Sequence, residues 1–459
     1  MSLDSISNVV GGGYCVGCGA CVYNKPDTNM VKDEYGLLKP LFKESDSRPN
    51  DSVCPFSSDI NEDALGKSLY SESNTNYEKR IGYYQKLYAG HVATDGFRER
   101  GSSGGMVSWI VEELFHKGFI DGVIHVGNSS TGNDIFSYKV SHSIAEMREN
   151  AKSKYYPTSF DQALEHIKNS NKKYAFVGIP CYIKAARLLC VEHAELNDSI
   201  KFFIGIFCGH LKSAAFAELL GWQQGVSPKN LVDIDFRVKT LGVDASNYSI
   251  KAEAKNKFSA TAKNSELYGT DWGLGLFKPK ACEWCDDISA ETADIVLGDA
   301  WLPEYTSDSM GTNVIIVRNS IIGKMIADAE SAGKLTIDPL TVDKIIQSQA
   351  ANYRHRQEGL SVRIEDANSK GIWHPRKRVN PEDYSVSTER KKIYLHRMLI
   401  SEKSHEYFLE AKKKNSILYF ILRILPLELK YYYLNNNLIK RTIKSSLIKL
   451  KILTNSIRD

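Results

Sequence analysis

The chain has 459 residues, 42% hydrophobic and 25% charged, with a formal net charge of +4. That length holds two or three domains around a sizeable core, and a near-neutral balance excludes a general nucleic-acid binder. The charge is uneven: residues 391–459 carry about +10, which marks a basic tail. The start, Met1-Ser-Leu-Asp-Ser-Ile-Ser7, lacks the basic and apolar regions of a secretory signal. A cytoplasmic setting is therefore expected, and its reducing conditions make the nine cysteines metal ligands, redox groups or core residues rather than disulfides.

Residues 1–65 are rich in Gly, Asp, Asn and Pro and read as a small module in need of a staple. A polar linker is expected over roughly 66–82, where Ser-Glu-Ser-Asn-Thr-Asn occurs. A mixed α/β core follows. Strands are predicted at Lys86–Val92, Asp121–Val126, Tyr174–Gly178 and Phe202–Phe207. Helices are predicted at Met106–His116, Ala145–Asn150 and Lys184–Val191. Further strands fall at Phe236–Val238, Ile295–Gly298 and Val314–Val317. From about 385 the pattern is helical and basic.

Cys15, Cys18 and Cys21 stand at C-x2-C-x2-C spacing, with Gly17, Gly19 and Ala20 between them. Small residues let the backbone approach inorganic sulfide, and this spacing suits one corner of a [4Fe–4S] cube. The two-cluster ferredoxin pattern would place a fourth cysteine where Lys25 stands, before Pro26. Cys54-Pro55 supplies the missing ligand. A zinc site is the alternative, although zinc prefers pairs separated by a longer loop.

Cys282-Glu-Trp-Cys285 forms a second pair, and Cys181 and Cys208 end two strand regions. Strand ends converge at functional crevices in α/β sheets, so these four thiols make a second candidate site. The other reading is that Cys181 and Cys208 are core thiols; Cys190, on a helix, is read as core.

These motifs, in this order, resemble the family of coenzyme F420 hydrogenase/dehydrogenase beta subunits (coenzyme F420 is a deazaflavin). The likeness runs from about residue 12 to about 335. It rests on Cys15–Cys21, Asp33–Pro40, Cys54-Pro55, Gly101-Ser-Ser-Gly-Gly105, Lys152–Tyr155, Gly178-Ile-Pro-Cys181 and Cys208-Gly-His210. It is completed by Phe236-Arg-Val-Lys239 and by Cys282–Cys285 with Gly298-Asp-Ala-Trp301. Gly209 and His210 are exchanged relative to the family's Cys-His-Gly.

The resemblance implies an N-terminal ferredoxin-type module at 1–65, N- and C-terminal-like domains of the beta subunits at 83–170 and 171–340, and an unmatched helical tail at 385–459. It implies FAD and two [4Fe–4S] clusters, held by Cys15/Cys18/Cys21/Cys54 and Cys181/Cys208/Cys282/Cys285. Expected flavin contacts are Ser102, Ser103, Gly104, Gly105, Lys152, Ser153, Lys154, Arg237 and Lys239. No G-x-G-x-x-G follows a strand, so the phosphates are expected at the Gly101–Gly105 helix start instead. Ser102 and Ser103 also read as helix caps, and Arg237 and Lys239 as strand-face charges. His210 is either a proton donor or structural.

The function implied is an iron–sulfur flavoprotein oxidoreductase. It would pass electrons from a ferredoxin-like donor to an organic or deazaflavin acceptor, in a setting linked to cell-surface polysaccharide. An electron-transfer partner without its own substrate is the rival reading. The apolar run 416–427 among lysines reads equally as a peripheral contact with an anionic membrane or as a docked helical pair.

Overall fold

Runs of Val, Ile, Phe and Ala with no polar interruption make strands that must be covered on both faces. Ala175–Gly178 and Val314–Val317 are such runs, and every residue in them is buried. The computed structural model describes residues 5–25, 27–42, 51–71, 74–94, 96–129 and 134–435. Its centre is an eight-stranded sheet. In chain order the strands are β1 (Lys86–Val92), β2 (Gly122–Asn128), β3 (Phe136–Ser141) and β4 (Tyr174–Gly178). They continue as β5 (Ile200–Ile206), β6 (Ile295–Asp299), β7 (Asn313–Val317) and β8 (Leu335–Pro339). Their spatial order is β8-β1-β7-β6-β5-β4-β2-β3. The inner strands β2, β4, β5 and β6 are mutually parallel, and the remaining pairings are antiparallel.

Helix α1 (Met106–His116) begins at Gly105, after a short helix at Phe97–Arg100, and helix α2 (Pro180–Glu192) begins directly after β4. Pro180 sits in the first turn of α2, where its missing N–H costs nothing. The sequence expectations for these elements hold within one to four residues at their ends. One expected strand sits elsewhere: Phe236–Val238 ends a longer strand, Leu231–Val238, in a separate three-stranded antiparallel sheet with Ser249–Ala254 and Ser259–Lys263.

The expected linker over 66–82 is corrected. A helix at Glu62–Tyr70, capped by Asn61, runs through its start, and a hairpin pairs Asn76–Glu78 with Gly82–Tyr84. Tyr70 is buried, and its hydroxyl donates to the Thr292 carbonyl at 3.0 Å. The segment after the N-terminal module is therefore packed on the core, not strung between two bodies.

Beyond the sheet come α3 (Ala350–Arg356), α4 (Glu358–Ser369), α5 (Thr388–Lys413) and α6 (Ile417–Leu434). Helices α5 and α6 pair with each other. The apolar face of α6 is inside: Phe420, Ile421 and Ile424 are buried with Tyr268, Leu276 and Phe277 in one cluster. That arrangement is the docked pair and not an apolar face laid on lipid. The basic stretch beginning at Ile439 lies outside the described residues. Among the described residues no helix is long and apolar enough to cross a membrane.

Candidate functional site

The carboxyl ends of β2, β4, β5 and β6 open into one cavity of about 280 Å³, lined among others by Val126, Gly178, Ile206 and Asp299. Ligands in α/β sheets bind outside these strand ends. The Gly101–Gly105 loop forms one wall just before α1, with Ser102, Ser103 and Gly105 on the lining. Gly105 takes φ +82°, a left-handed conformation that glycine adopts without strain.

Gly104 is not on the lining. A side chain there would meet Asn313 Oδ1 at 2.7 Å and the Gly90 carbonyl at 2.8 Å. The sheet behind the loop by itself demands glycine at this position. The serines do not cap α1 through their side chains. Ser103 Oγ donates to the Thr312 carbonyl (3.0 Å), and Asn313 Oδ1 accepts from the Met106 N–H (3.3 Å). Ser102 Oγ accepts from the Ser153 N–H at 2.8 Å, which joins this loop to the second wall.

Lys152, Ser153 and Lys154 all line the cavity. Lys152 has φ +79° and pairs with Asp235 at 2.6 Å. Lys154 lies 4.7 Å from the Phe136 ring, and burial lowers its pKa. Arg237 and Lys239 are off the cavity lining. Arg237 forks onto Asp299 at 3.0 and 3.2 Å and donates to the Ser102 carbonyl at 2.9 Å. Lys239 donates to the carbonyls of Arg98, Ser103 and Met310. Both cations brace the serine loop from behind, through the two terminal nitrogens of Arg237 and the Lys239 ammonium.

The far end of the cavity carries residues set by an alternation after β5. Cys208, His210 and Lys212 all line it, and Trp272 covers them. His210 is buried, its ring is 4.5 Å from Trp272, and its Nε2 has no hydrogen-bond partner among the described residues. Burial, then the nearby Lys212 and Lys278, hold its pKa well below the usual range, so it is neutral at neutral pH. Lys212 is 1% exposed. Its Nζ donates to the Leu276 carbonyl at 2.6 Å and sits 4.7 and 4.8 Å from the Phe216 and Trp272 rings. Burial pushes its pKa down to about 7. Sequence reasoning missed Lys212 and Trp272; the two-residue spacing from Cys208 was the available signal.

The thiols fall into two groups. Cys15, Cys18, Cys21 and Cys54 line one small hollow with Met30 and Phe56. Burial raises every one of these thiols, and the charges of Cys15 and Cys54 raise Cys18 and Cys21 further. Cys181 feels Cys285, Cys208 and Cys282 in the same way, and also Cys18 of the first group. Backbone N–H groups face the sulfurs: Gly17 donates to Cys15 Sγ (3.4 Å) and Leu211 to Cys282 Sγ (3.3 Å). Tyr182 feels Cys181, Cys18 and Cys15, and its hydroxyl is fixed between the Val16 and Thr158 carbonyls. Cys190 is buried apart, beside Arg187, as a core thiol.

Among the described residues no three His, Cys, Asp or Glu side chains close around a single ion. Zinc needs four ligands about 2.0–2.3 Å from one point. A four-iron cube holds its thiolates farther apart, so donor set, grouping and sulfur-facing N–H groups fit two cubes better than zinc. The cavity, with lysines at one wall and aromatic rings at the other end, fits a flavin nucleotide.

Fold, cavity and paired thiol groups place the chain in the class to which redox beta subunits belong, and the curated relatives it matches carry the names of a reductase and a dehydrogenase subunit. The chain belongs to the family of coenzyme F420 hydrogenase/dehydrogenase beta subunits: residues 87–165 match its N-terminal part and residues 171–343 its C-terminal part. It is 23% identical over 332 residues to the coenzyme F420-dependent sulfite reductase of Methanocaldococcus jannaschii, across 68% of this chain and 45% of that protein. It is 23% identical over 265 residues to one of the subunits of the F(420)H(2) dehydrogenase of Methanosarcina mazei, across 56% of this chain and 68% of that one. The chain thus spans under half the length of the sulfite reductase. A chain of the F420-reducing NiFe hydrogenase complex of Methanosarcina barkeri superposes with a TM-score of 0.49 at 16% identity, over 67% of this chain and 99% of that one.

Proposed function

We propose that this chain exchanges electrons between a one-electron carrier of ferredoxin type and an organic two-electron partner, using two [4Fe–4S] clusters and FAD. The observation that supports it most is Cys208, which belongs both to the second thiol group and to the cavity wall. Bound clusters would carry electrons singly, and a bound flavin would exchange them in pairs as hydride equivalents.

The chain's own residues have distinct tasks in this reading. Lys152, Lys154 and the Ser102–Ser103 loop would hold the nucleotide's phosphates. Gly105 gives that loop its turn, while Arg237 and Lys239 keep it in place from behind. Trp272, Phe216 and Lys212 would exclude water from the end nearest Cys208. His210 would present a neutral imidazole there, able to donate or accept one hydrogen bond. Tyr182 would fill the space between the two thiol groups. The partner is an organic acceptor, with a deazaflavin suggested by the names of the relatives, and a glycan-linked acceptor would enter the same cavity.

The second reading is an electron-transfer component that serves a separate reductase. It is supported by the match to one of the subunits of a dehydrogenase.

Anaerobic purification, with iron, acid-labile sulfide and flavin measured after denaturation, tests the first reading. About eight irons and one released FAD per chain are expected. Zinc without labile sulfide refutes it. Cys208→Ser should lose about half the iron while the Cys15 group keeps its share.

A further inference from the structure

The family match ends at residue 343, yet one residue beyond it sits against the second thiol group. Arg356, the last residue of α3, is 1% exposed. Its guanidinium donates to the carbonyls of Cys208 and Gly209 at 2.9 Å each and of Asp287 at 3.1 Å. It thereby clasps the two loops that bring Cys208 and the Cys282/Cys285 pair together. The charges that act on it most are Cys285, Cys208, Cys282 and Cys181, in that order.

Other charges face this group too. Lys377 acts on Cys285, and Asp286 and Asp287 oppose it. Lys377 and Asp286 pair with each other at 3.7 Å, so they largely cancel. Around the first group the charges are Lys39 beside Cys15, Lys184 beside Cys54 and Asp161 beside Cys18. Lys184 is paired with Glu62 (3.3 Å) and Lys39 with Asp33 (2.7 Å). Among the described residues Arg356 makes its hydrogen bonds to the loops of the second group. It is fully charged at any pH the protein meets, and it is spent on carbonyl oxygens that cannot neutralise it.

We infer that Arg356 is the positioning residue that biases electrons toward the cavity, by placing a buried cation directly on the backbone of the second thiol group, at the Cys208, Gly209 and Asp287 carbonyls. This rests on the two-cluster reading above. Reduction adds one negative charge to a cluster. A buried cation beside it stabilises the reduced form, because its charge is poorly screened there. The step from the Cys15 group to the Cys208 group is then downhill, and the step's direction is built by a segment outside the family match.

The test is a redox titration followed by electron paramagnetic resonance, with iron and sulfide counted in every sample. The wild-type protein should show two four-iron signals with distinct midpoints. Their absence would overturn the two-cluster reading itself. Arg356→Gln should move only the higher midpoint downward, by at least tenfold in the reduction equilibrium, about 59 mV for one electron. Arg356→Lys, which keeps the charge but not the fork, should hold that midpoint within a third of the shift. Two normal clusters with unmoved midpoints in Arg356→Gln would refute the inference alone. If Arg356→Gln loses the second cluster, Arg356→Lys decides. Loss of that cluster in the lysine variant would show that the fork's hydrogen bonds matter and the charge does not, and would also refute it.

Discussion

Replacing Phe420 by Ala tests what α6 is for. The side chain is 0% exposed. Its ring lies 5.5 Å from Phe277, 5.4 Å from Phe408 and 6.3 Å from Tyr268. Truncating a buried Phe costs about 3–5 kcal/mol, since the cavity left behind closes only in part. The loss should reach the redox site. Phe277 begins a segment pinned by α5: Ser404 Oγ accepts from the Phe277 N–H at 2.8 Å. Ser401 Oγ lies 2.8 Å from the Gly275 carbonyl and 3.1 Å from that of Lys278. Four residues later comes Cys282. Equilibrium urea unfolding under argon should show a lower midpoint for Phe420→Ala, with iron leaving the second group first. Leu422, on the opposite face and 57% exposed, should tolerate Asp within about 0.5 kcal/mol. Wild-type stability in Phe420→Ala, together with loss of anionic-vesicle binding in Leu422→Asp, would refute the docked helix and restore the membrane reading.

Cys190→Ser should leave the iron count unchanged, checked by colorimetric iron assay; a loss of four irons would mean that it ligates. Lys154→Ala should weaken flavin binding about tenfold or more in a fluorescence titration, as expected for one charge-assisted contact of about 1.5–3 kcal/mol. His125 hydrogen-bonds Ser141 Oγ at 2.8 Å, and burial lowers its pKa to about 4. The unfolded chain binds its proton below about pH 6.5 and the folded chain does not, so stability falls as pH drops from about 6.5 to 4, by about 3 kcal/mol from this residue. His125→Gln should flatten that part of the urea-stability profile, and an unchanged slope would show the ring to be solvated.

The strands and helices around the cavity were legible because burial leaves local marks. Tyr174–Gly178 has no polar residue, and α1 repeats its apolar positions at helical spacing. The grouping of Cys15, Cys18 and Cys21 was legible because three cysteines fit inside seven residues. The polar run around Ser71 read as a linker because polarity there reports exposure and not position. What docks the segment is Tyr70 and Leu65, two buried residues that make too short a signal. Arg237 and Lys239 were found as chemistry-bearing, but their bonds to Asp299 and the serine-loop carbonyls were not, since sequence does not say which face of Ser102 an arginine approaches. Arg356 was invisible for a related reason: its meaning lies in carbonyls about 70 and 148 residues away. The tail stayed undecided because an apolar stripe looks the same against lipid and against Phe277.

Arg378 draws three distant parts of the chain to one buried point. It binds Glu291 at 2.7 Å and Asp63 at 3.1 Å, and its main-chain N–H donates to Asp286 at 3.0 Å. Synthesis runs from the N-terminus, and domains generally fold as they emerge. The module bearing Asp63 and the loop bearing Cys285 both wait for a cation made more than 85 residues after that loop. Asp286 also pairs with Lys377 at 3.7 Å, so two adjacent cations of that late segment hold the loop that follows Cys285. The loop after Cys285 is thus fixed by a side chain that lies far along the chain and close in space, so a change at Arg378 should reach the second thiol group without touching a cysteine.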